Sequence, residues 1–480
     1  MPKIKIGGNP PTTNPSKILE AFQGFYSRLY EPHTRPTTGA TSQFLEGLHI
    51  PTLSTDHRDI LDSPITEEEV VEVVRGLRTG SAPGPDGLSI PYYKTFSAIL
   101  APHMTKFFNS KTRGDPLDSQ INTAFITVIP KPDKNPEDVR NYRPISLINN
   151  DLKVLTKILA NRLAGFIGQY IHKDQVGFIP GRQGPDQIRR AIDLASIMLT
   201  NWTGGIPQRG FLLSLDLQKA FDSVSWPYLF NLLETWGFGP RFLGIIRALY
   251  ANPRALVRIN GHYSKPIEIR RGTRQGCPLS PLVFAVAIET LAIAIRQNPN
   301  ISGVQCGDQT HKCALFADDI LLFLTSPVTT LPNLCHILDD FSRISGLSVN
   351  FSKSQALNIS LPSQIVLDLK QSFNFSWNET SIQYLGIALA AKTEALYDLN
   401  YPPLYKKMEA DLKIWSRFNL SWLGRINSVK MTLFPRILYL FRSLPIPIRR
   451  NHLKSLQSKL LKFIWGTSGY RVPHDTLIRH

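Results

Sequence analysis

The chain has 480 residues, of which 42% are hydrophobic, and this excludes both a disordered protein and a small disulfide-stapled domain. Lys and Arg number 54 against 37 Asp and Glu, and the resulting net charge of +17 favours a polyanionic partner such as a nucleic acid. Many proteins that only associate with ribonucleoproteins are basic too, so charge alone identifies no function.

The first predicted element is an amphipathic helix in the segment SKILEAFQGFYSRLY. Its apolar side chains recur at helical spacing: Ile18, Leu19, Phe22, Phe25 and Leu29. No apolar signal core precedes this helix, which predicts an intracellular protein. The stretch from Glu31 to about Thr55 is rich in Pro and Thr and predicts a loose connection.

A capping box opens the second predicted helix. Thr66 and Glu69 have the spacing at which each side chain caps the other residue's backbone amide, and they predict a helix over Glu67–Leu77. The segment SAPGPDGLS follows Gly80, and its Gly and Pro content predicts a rigid loop. This loop lacks the GK[ST] ending of a nucleotide-binding phosphate loop.

Apolar runs further along the chain predict strands. FITVIP predicts a strand that leads through a basic loop into a helix, DLKVLTKILANRLAGFI. Phe211–Leu215 predicts a strand that ends at Asp216. Leu315–Leu324 predicts a hairpin with the acids of LFADDILLFL at its turn.

The last third of the chain passes from strand to helix patterns. Ile382–Leu389 predicts one further short strand, and the residues after Tyr401 are helical in pattern, basic and aromatic. Interspersed strands and helices predict an α+β fold. The longest apolar stretch, Pro281–Ile295, is interrupted by Glu289 and is too short to span a bilayer, so no membrane partner is expected.

The four cysteines form no CxxC pair, which argues against a disulfide framework and an ordinary zinc site. Cys306, His311 and Cys313 could supply three metal ligands, but their spacing fits no standard site. Cys313 lies in an apolar run, and a buried thiol is the simpler interpretation.

Acidic residues end two of the apolar runs: Asp216 in LLSLDLQKAFDSVSW, and Asp318 with Asp319 in LFADDILLFL. An unpaired carboxylate at the margin of a buried strand is costly, so we expect a divalent cation as partner, and oxygen ligands select Mg²⁺ or Mn²⁺. Two such ions about 3.5–4 Å apart would activate a 3′-hydroxyl and stabilise a leaving pyrophosphate. The alternative is that Asp318 and Asp319 are ordinary turn residues.

The segments around these acids resemble the reverse transcriptases of non-LTR (LINE-type) retrotransposons over nearly the whole chain. PGPDGLSIPYYK and FITVIPKPDKNPEDVRNYRPISLINNDLKVLTKILANRL resemble the fingers, and IHKDQVGFIPGRQGPDQI resembles the block that follows them. LDLQKAFDSVSW, RRGTRQGCPLSPLVFAVAIE and LFADDILLFL resemble the first three palm motifs, and FSRISGLSVNFSKSQ and IQYLGI the fourth and fifth. These eight segments stand in the family order, which makes the resemblance specific.

The resemblance implies a right-hand polymerase fold with fingers, a palm built on an antiparallel sheet, and a helical thumb. It implies an N-terminal extension over residues 1–60, fingers with part of the palm over 61–205, palm over 206–400, and thumb with the start of a C-terminal region over 401–480. The implied activity is RNA-directed DNA synthesis from dNTP onto a primer 3′-hydroxyl, in target-primed reverse transcription.

The resemblance also implies the catalytic residues. Asp216, Asp318 and Asp319 match the ligands of two Mg²⁺ ions, for which Mn²⁺ can substitute, and the backbone carbonyl of Leu217 would complete one ion's shell. Lys353 matches the lysine that protonates or neutralises the departing pyrophosphate. A solvated surface lysine is the alternative for Lys353.

Residues around the incoming nucleotide follow by position as well. Phe221 matches the steric gate, whose ring would collide with a ribonucleotide 2′-hydroxyl, and an ordinary core aromatic is the alternative. Gln275 and Gly276 would lie beneath the incoming nucleotide and template base, where glycine permits close backbone approach. Lys131 and Arg143 match the fingers residues that hold the triphosphate.

The primer grip and the thumb complete the implied machinery. Tyr384, Leu385 and Gly386 match the primer grip. The basic thumb residues would follow the phosphate backbone of a template–primer duplex; they are Lys406, Lys407, Lys413, Arg417, Arg425, Lys430, Arg436 and Arg442. The alternative is a basic helical bundle with aromatic residues in its core, which we favour for most of Trp415, Trp422, Phe434, Tyr439 and Phe441.

The expected partners are an RNA template, a DNA primer, dNTP and the ribonucleoprotein of the element, in the nucleus and the cytoplasm. The chain starts near the beginning of the fingers' leading extension and ends without a CCHC cluster, so we expect a partial element protein whose nick is made elsewhere. Three rivals stay open. They are an RNA-dependent RNA polymerase, disfavoured by Phe221 and RQGCPLSP; a group II intron maturase; and an inactive relic or RNA-binding scaffold, disfavoured by the retained acids.

Overall fold

The computed structural model describes residues 3–7, 10–32, 38–132, 134–200 and 208–466. The predicted boundary between fingers and palm at 205–206 and the last residues of the predicted thumb region, 467–480, lie outside this part of the chain. By its internal contacts the chain divides into two compact units of three segments each. The first unit comprises Met1–Gly181, Asp216–Asn300 and Leu331–Asn350, and the second comprises Arg182–Leu215, Ile301–Thr330 and Phe351–His480.

The helices are, in chain order, α1 Pro15–Tyr30, α2 Thr38–Glu46, α3 Thr55–Asp62, α4 Glu67–Gly76, α5 Ile90–Thr95, α6 Ser97–Ser110, α7 Asn150–Ala164, α8 Gly184–Leu199, α9 Ala220–Ser223, α10 Trp226–Thr235, α11 Pro240–Tyr250, α12 Ser280–Gln297, α13 Pro327–Ser345, α14 Ser363–Ser372, α15 Ala395–Trp415, α16 Trp422–Ser428, α17 Phe434–Ser443 and α18 Arg450–Trp465. A π-helical turn, Val429–Leu433, joins α16 to α17.

The strands are β1 Thr123–Pro130, β2 Tyr142–Leu147, β3 Gly210–Asp216, β4 Arg254–Ile259, β5 His262–Tyr263, β6 Ile267–Glu268, β7 Val304–Cys306, β8 Gln309–His311, β9 Cys313–Phe316, β10 Asp319–Thr325, β11 Gln355–Asn358, β12 Ser376–Asn378, β13 Ser381–Tyr384 and β14 Ile387–Ala390. Strands and helices are interspersed along the chain, which confirms the α+β prediction.

Helix α1 forms where the sequence predicts it, but it buries a different face. Its N-cap Asn14 accepts hydrogen bonds from the amides of Ser16 and Lys17, and proline occupies the first turn. The buried side chains are spaced at i, i+4 and are Ile18, Phe22, Tyr26 and Tyr30. Phe25 and Leu29, which the apolar pattern places in the core, are only partly buried. Two tyrosines therefore replace them on the face that packs on β4 and β6.

Of the next two predictions, the Thr66–Glu69 capping box is confirmed and the loose connection over Glu31–Thr55 is wrong in part. The capping box is confirmed, because the Thr66 hydroxyl accepts from the Glu69 amide and the Glu69 carboxylate accepts from the Thr66 amide. The loose connection predicted over Glu31–Thr55 is wrong for Thr38–Glu46, which forms α2. Its Leu45 is buried, and tertiary packing against α10 stabilises a helix that local composition disfavours.

The first unit contains a five-stranded sheet with the order β2-β1-β4-β5, in which β6 also pairs with β4. Strand β1 is antiparallel to β2, from Phe125 opposite Leu147 to Pro130 opposite Tyr142, and it is parallel to β4. This sheet and α1 share one hydrophobic core, so the N-terminal helix is an integral part of the first unit.

Helix α12 forms the centre of the first unit. It is the one helix, among the described residues, that is long and apolar enough to cross a membrane by length and composition. However, 83% of it is buried inside the protein, as expected for a core helix. Glu289 on this helix is itself buried and accepts a hydrogen bond from Arg296.

The second unit contains the sheet β12-β11-β3-β10-β9 and two separate hairpins, β7-β8 and β13-β14. The single strand predicted over Ile382–Leu389 is wrong, because Leu385 and Gly386 adopt positive φ angles of 48° and 76° and reverse the chain. The helices predicted after Tyr401 are confirmed as α15 to α18.

Candidate active site

The acids of LFADDILLFL lie at a tight hairpin turn in the second unit. Phe316 at the end of β9 is paired with Asp319 at the start of β10, so Ala317 and Asp318 form a two-residue turn. Ala317 has a φ of 56°, a left-handed conformation that costs a non-glycine residue roughly 1–2 kcal/mol. Asp319 is exposed and Asp318 half-buried, whereas Ala317 and Ile320 are buried. The turn therefore presents two carboxylates on a strained, well-anchored backbone, and such strain is concentrated at functional sites.

Strand β3 packs beside this hairpin in the sheet of the second unit. Strands β3 and β10 are neighbours in the sheet. Gly210 at the start of β3 lies against the end of β10, since a Cβ there would come within 2.5 Å of the Leu324 carbonyl oxygen. The two strands are therefore antiparallel. Asp216, the last residue of β3, is exposed.

The backbone on both sides of Leu217 is held within the first unit. The Asp216 carbonyl accepts from the Asn350 amide at 2.7 Å, and the Gln218 amide donates to the Ser348 carbonyl at 2.9 Å. Leu217 itself is buried. These bonds fix the chain where β3 ends and the predicted metal ligands begin.

The predicted ligand set suits a hard divalent cation. Asp216, Asp318 and Asp319 offer carboxylate oxygens, which Mg²⁺ and Mn²⁺ prefer. All three are exposed or half-buried, so the expectation that they carry a burial cost is wrong. Within the described ranges, no three His, Cys, Asp or Glu side chains form a group that could hold a metal ion. The three aspartates therefore have the ligand chemistry that Mg²⁺ prefers, but the described residues show no preformed coordination site.

The predicted primer grip lies near the Asp318–Asp319 turn. Leu385 and Gly386 form the β13–β14 turn, and the hydroxyl of Tyr439 donates to the Leu385 carbonyl at 2.6 Å. A Cβ on Gly184, in the first turn of α8, would touch both Leu385 and Phe316 at 3.5 Å. Helix α8 therefore bridges the β13–β14 hairpin and the β9–β10 hairpin.

Tyr384, the last residue of β13, lies close to the Asp319 carboxylate. Its side chain is 2% exposed, and burial together with the nearby Asp319 charge raises the pKa of the phenol well above its usual value. The Tyr384 phenol therefore lies within electrostatic range of Asp319, as expected when the β13–β14 hairpin lies beside the Asp318–Asp319 turn. Its assigned role in holding a primer stays a prediction.

The cysteines of the second unit behave as ordinary residues. Cys313 is fully buried on β9, as the apolar run predicts, and Cys306 is exposed on β7. A ring nitrogen of His311 lies 2.8 Å from a guanidinium nitrogen of Arg190. The structure therefore assigns His311 an interaction with α8.

Phe221, the predicted steric gate, is held in an aromatic stack in the first unit. Its ring stacks on buried Phe284 at a centroid distance of 4.3 Å and meets the edge of Phe178 at 5.9 Å. Phe178 is 44% exposed and has a φ of 63°. The half-buried gate ring is thus backed by the core on one side and lies next to an exposed, strained aromatic on the other.

Hydrogen bonds connect the loop of RRGTRQGCPLSP to the residues around Phe221. The Thr273 amide donates to the Phe221 carbonyl, and the Gly272 amide donates to the Val224 carbonyl at 2.7 Å. The Gln275 side-chain amide donates to the Asp222 carboxylate at 3.2 Å. The two motifs that the sequence predicts to surround the nucleotide therefore form one structural group.

Gly276 makes a close backbone approach, but to a different neighbour from the predicted one. It has a φ of 117°, and a Cβ there would lie 2.4 Å from the Ser146 carbonyl oxygen of β2. The Ser146 amide in turn donates to the Gln275 carbonyl at 2.8 Å. The glycine is thus required by contact with the strand that carries Arg143. Its position beneath a nucleotide stays a prediction.

Asp222 is the site residue that sequence reasoning missed. Its side chain is 2% exposed, and its carboxylate accepts hydrogen bonds from the Tyr30 hydroxyl at 3.0 Å and from Gln275. Burial raises its pKa to about 6, against the opposing effect of the Tyr30 hydrogen bond and the charges of Lys219 and Arg271. The available signal was an acid within the apolar motif AFDSVSW.

The remaining predicted cations have different surroundings. Lys131 is half-buried at the end of β1, and its charge is close enough to Asp222 to lower the pKa of that carboxyl. Arg143 is exposed on β2, opposite Ile129. Lys353 is exposed in the turn that precedes β11 in the second unit. Of these three cations, Lys131 is the one whose charge acts on the Asp222 carboxylate.

The aromatic residues of the predicted thumb are divided between core and surface. Trp415, Tyr439 and Phe441 pack against the core of the second unit, which confirms the expectation for most of the set. Trp422 and Phe434 are 50% and 53% exposed. Among the basic residues, Arg436 pairs with Asp411 at 2.6 Å and Arg425 donates to the Phe463 carbonyl at 3.1 Å. These two arginines therefore stabilise the helices themselves.

Comparison with known proteins gives a consistent set of relatives. The family model described as "Reverse transcriptase (RNA-dependent DNA polymerase)" matches residues 129–389, which is more than half of the chain. The uncharacterized 149 kDa protein of transposon TX1 from Xenopus laevis is 29% identical over 95% of this chain and 34% of its own length. The RNA-directed DNA polymerase from mobile element jockey of Drosophila funebris is 25% identical over 86% of this chain and 45% of its own length.

Among solved structures, telomerase from Candida albicans in complex with a fragment of telomeric RNA aligns with 78% of this chain and 63% of that chain, with 14% identity and a TM-score of 0.38. The chain spans between a third and a half of the length of the two transposon relatives.

Proposed function

Because the chain belongs to the reverse transcriptase (RNA-dependent DNA polymerase) family, we propose that it synthesises DNA on an RNA template by adding dNTPs to a primer 3′-hydroxyl. Its relatives include the RNA-directed DNA polymerase from mobile element jockey and a protein of transposon TX1. We therefore infer that its biological reaction is target-primed reverse transcription, in which a nick in DNA supplies the primer.

The observation that carries the proposal is the two-residue turn of the β9–β10 hairpin, which presents the Asp318 and Asp319 carboxylates on a strained backbone. The β13–β14 hairpin lies beside that turn, since a Cβ on Gly184 would touch both Leu385 and Phe316; the family resemblance assigns Asp216 as the third ligand. Three carboxylates, with the Leu217 carbonyl, would then hold two Mg²⁺ ions, or Mn²⁺ in their place. Such ions, when bound, favour the deprotonated 3′-hydroxyl and stabilise the charge of the leaving pyrophosphate.

The protein's own groups have separate tasks in this proposal. The Phe221 ring, backed by Phe284, leaves no room for a 2′-hydroxyl and so selects dNTPs. Lys131 and Arg143 neutralise the triphosphate, and Lys353 donates a proton to the departing pyrophosphate. The Tyr384–Gly386 turn holds the primer end through its backbone. The exposed thumb cations follow the phosphates of the duplex.

We test the activity by extending a DNA primer on an RNA template with Mg²⁺ and dNTPs. The wild-type protein should extend the primer, and an Asp318→Ala, Asp319→Ala variant should lose synthesis by several orders of magnitude because the ligands are gone. Asp308→Ala is the matched control, since Asp308 is also an exposed aspartate next to a β-hairpin strand of the second unit, and it should extend normally.

Other outcomes identify the rivals. Synthesis that requires rNTPs would indicate an RNA-dependent RNA polymerase. A folded wild-type protein that binds RNA but makes no product would overturn the proposal in favour of a relic or scaffold. Undiminished synthesis by the double variant would refute the assigned metal site.

We also propose that the protein works within a ribonucleoprotein that contains the element's RNA, assembled in the cytoplasm and active in the nucleus. The net charge of +17 supports an RNA partner. Crosslinking in cells followed by sequencing of the bound RNA should recover the coding RNA, and fractionation should find part of the protein in the nucleus. Recovery of unrelated RNAs alone would contradict the proposal.

A further inference from the structure

The buried face of α1 reaches the residues around the predicted nucleotide pocket. Tyr30, the last residue of the helix, donates its hydroxyl proton to the Asp222 carboxylate at 3.0 Å. The side-chain amide of Gln275 donates to the other oxygen of the same carboxylate at 3.2 Å. Asp222 therefore connects a residue of the N-terminal helix to a predicted nucleotide-contacting residue, although Tyr30 and Asp222 are 192 positions apart.

We propose that Tyr30 and Asp222 are positioning residues that orient the Gln275 amide beneath the incoming nucleotide, so that helix α1 is a working part of the nucleotide pocket. This inference rests on the polymerase activity proposed above. It extends that activity to a helix that lies outside the residues matched by the family model, which begins at residue 129.

The orientation of Gln275 follows from the chemistry of the acceptor. A carboxylate only accepts hydrogen bonds, so it fixes which end of the Gln275 amide faces it: the NH₂ group bonds Asp222, and the carbonyl oxygen is directed elsewhere. The Tyr30 hydroxyl satisfies the second oxygen and prevents the carboxylate from rotating. Loss of that hydroxyl would free the carboxylate to reorient, and the Gln275 amide with it.

A second set of contacts holds α1 in place. The Arg271 guanidinium, in the same loop as Gln275, donates to the carbonyl of Leu29 at 2.7 Å. A cation at the C-terminal end of a helix is also favoured by the helix dipole. Phe22 packs edge-on against Tyr142 of β2 at 5.0 Å. The helix is thus attached both to β2 and to the Gln275 loop, as expected of a support for the pocket.

The test compares two Tyr→Phe variants one helical turn apart on the same buried face. Tyr30→Phe removes the hydroxyl that bonds Asp222. Tyr26→Phe removes a buried hydroxyl that has no hydrogen-bond partner among the described residues. We expect Tyr30→Phe to raise the KM for dTTP by roughly tenfold with a smaller change in kcat, the size typical of a lost bond to a charged group. Tyr26→Phe should leave both constants unchanged.

A double-mutant cycle separates positioning from general support. If Tyr30 acts through Gln275, Tyr30→Phe should have no further effect on KM in a Gln275→Ala background. Effects of the two changes that multiply independently would overturn the proposal, and so would an equal loss in Tyr26→Phe and Tyr30→Phe.

The readout also separates this inference from the proposed function. If the wild-type protein makes no DNA, stabilisation of the protein against heat by dTTP and Mg²⁺ provides the same comparison without synthesis. If dTTP and Mg²⁺ raise the melting temperature less in Tyr30→Phe than in Tyr26→Phe, the positioning role of Tyr30 and Asp222 is supported even though the polymerase proposal has failed. Equal increases in melting temperature in the two variants, or no increase in the wild type, would overturn the positioning role of Tyr30 and Asp222.

Discussion

Replacing Gly276 with alanine should destabilise the first unit strongly. The φ of 117° lies in a region that only glycine adopts readily, and an alanine there costs roughly 1–3 kcal/mol. The new Cβ would lie 2.4 Å from the Ser146 carbonyl oxygen, closer than the 3.0 Å that real Cβ atoms respect, so β2 or the Gly276 loop must move. Overpacking of this kind costs roughly 1–3 kcal/mol more. The sum is a loss of roughly 2–6 kcal/mol in the free energy of unfolding.

Gly261→Ala is the matched control for Gly276→Ala. Gly261 also has a positive φ, 83°, but a Cβ there would meet nothing within 4 Å. Its substitution should therefore carry only the backbone cost of roughly 1–2 kcal/mol. The contact with Ser146 is therefore the main difference between the two variants.

Urea unfolding measures the global effect, and hydrogen exchange of β2 peptides measures the local one. The Ser146 amide donates to the Gln275 carbonyl at 2.8 Å, and a forced shift of either segment should break that bond. We expect faster exchange in β2 for Gly276→Ala and not for Gly261→Ala. Equal unfolding free energies together with unchanged exchange in β2 would refute the reasoning.

Three further predictions concern Phe221, a partly buried ion pair and a partly buried acid. Phe221→Val should raise the use of rNTPs relative to dNTPs by at least roughly tenfold in primer extension, and an unchanged ratio would exclude Phe221 as the gate. Arg162→Ala should lower the free energy of unfolding by roughly 3–5 kcal/mol, because its guanidinium, 9% exposed, pairs with Glu69; Arg140→Ala, at an ion pair where the arginine is 76% exposed, should cost less than about 1 kcal/mol. Burial raises the pKa of Asp151 from 3.8 to about 6, so the neutral acid is the form that the fold favours, and this contribution is lost as pH rises through 6. Asp151→Asn should therefore raise the melting temperature relative to wild type at pH 8 and much less at pH 4, and an equal effect at both values would contradict the assigned burial.

Local patterns in the sequence predict those parts of the fold that local interactions determine. The Thr66–Glu69 capping box and the LFADDILLFL hairpin are confirmed because their determinants lie within a few residues of each other. The β13–β14 hairpin was predicted as one strand because its turn uses Leu385, an apolar residue with a φ of 48° that no turn propensity indicates. Helix α2 was missed because packing, not composition, stabilises it.

Long-range packing limits the prediction of the site. The acids at the ends of apolar runs are readable from the sequence, but the role of Asp222 depends on Tyr30, 192 positions away. Tyr26 and Tyr30 belong to an i, i+4 series in α1 that also contains Ile18 and Phe22. Phe25 and Leu29 continue the apolar pattern on a neighbouring face of the helix, and the sequence alone does not show which face is buried. Gly276 shows the same limit, since its neighbour Ser146 comes from a different part of the chain.

The two units are built from alternating segments of the chain, and this order constrains folding during synthesis on the ribosome. The last segment of the first unit is Leu331–Asn350. The second unit starts earlier in the chain, with Arg182–Leu215, and its last segment starts at Phe351. When the ribosome has translated residue 300, neither unit is therefore complete, because the first still lacks Leu331–Asn350 and the second lacks everything from Ile301 onward. Premature stop codons before residue 350 should yield no stable fragment. We also expect chaperones to bind the chain early in synthesis, because segments of the two units alternate along the sequence.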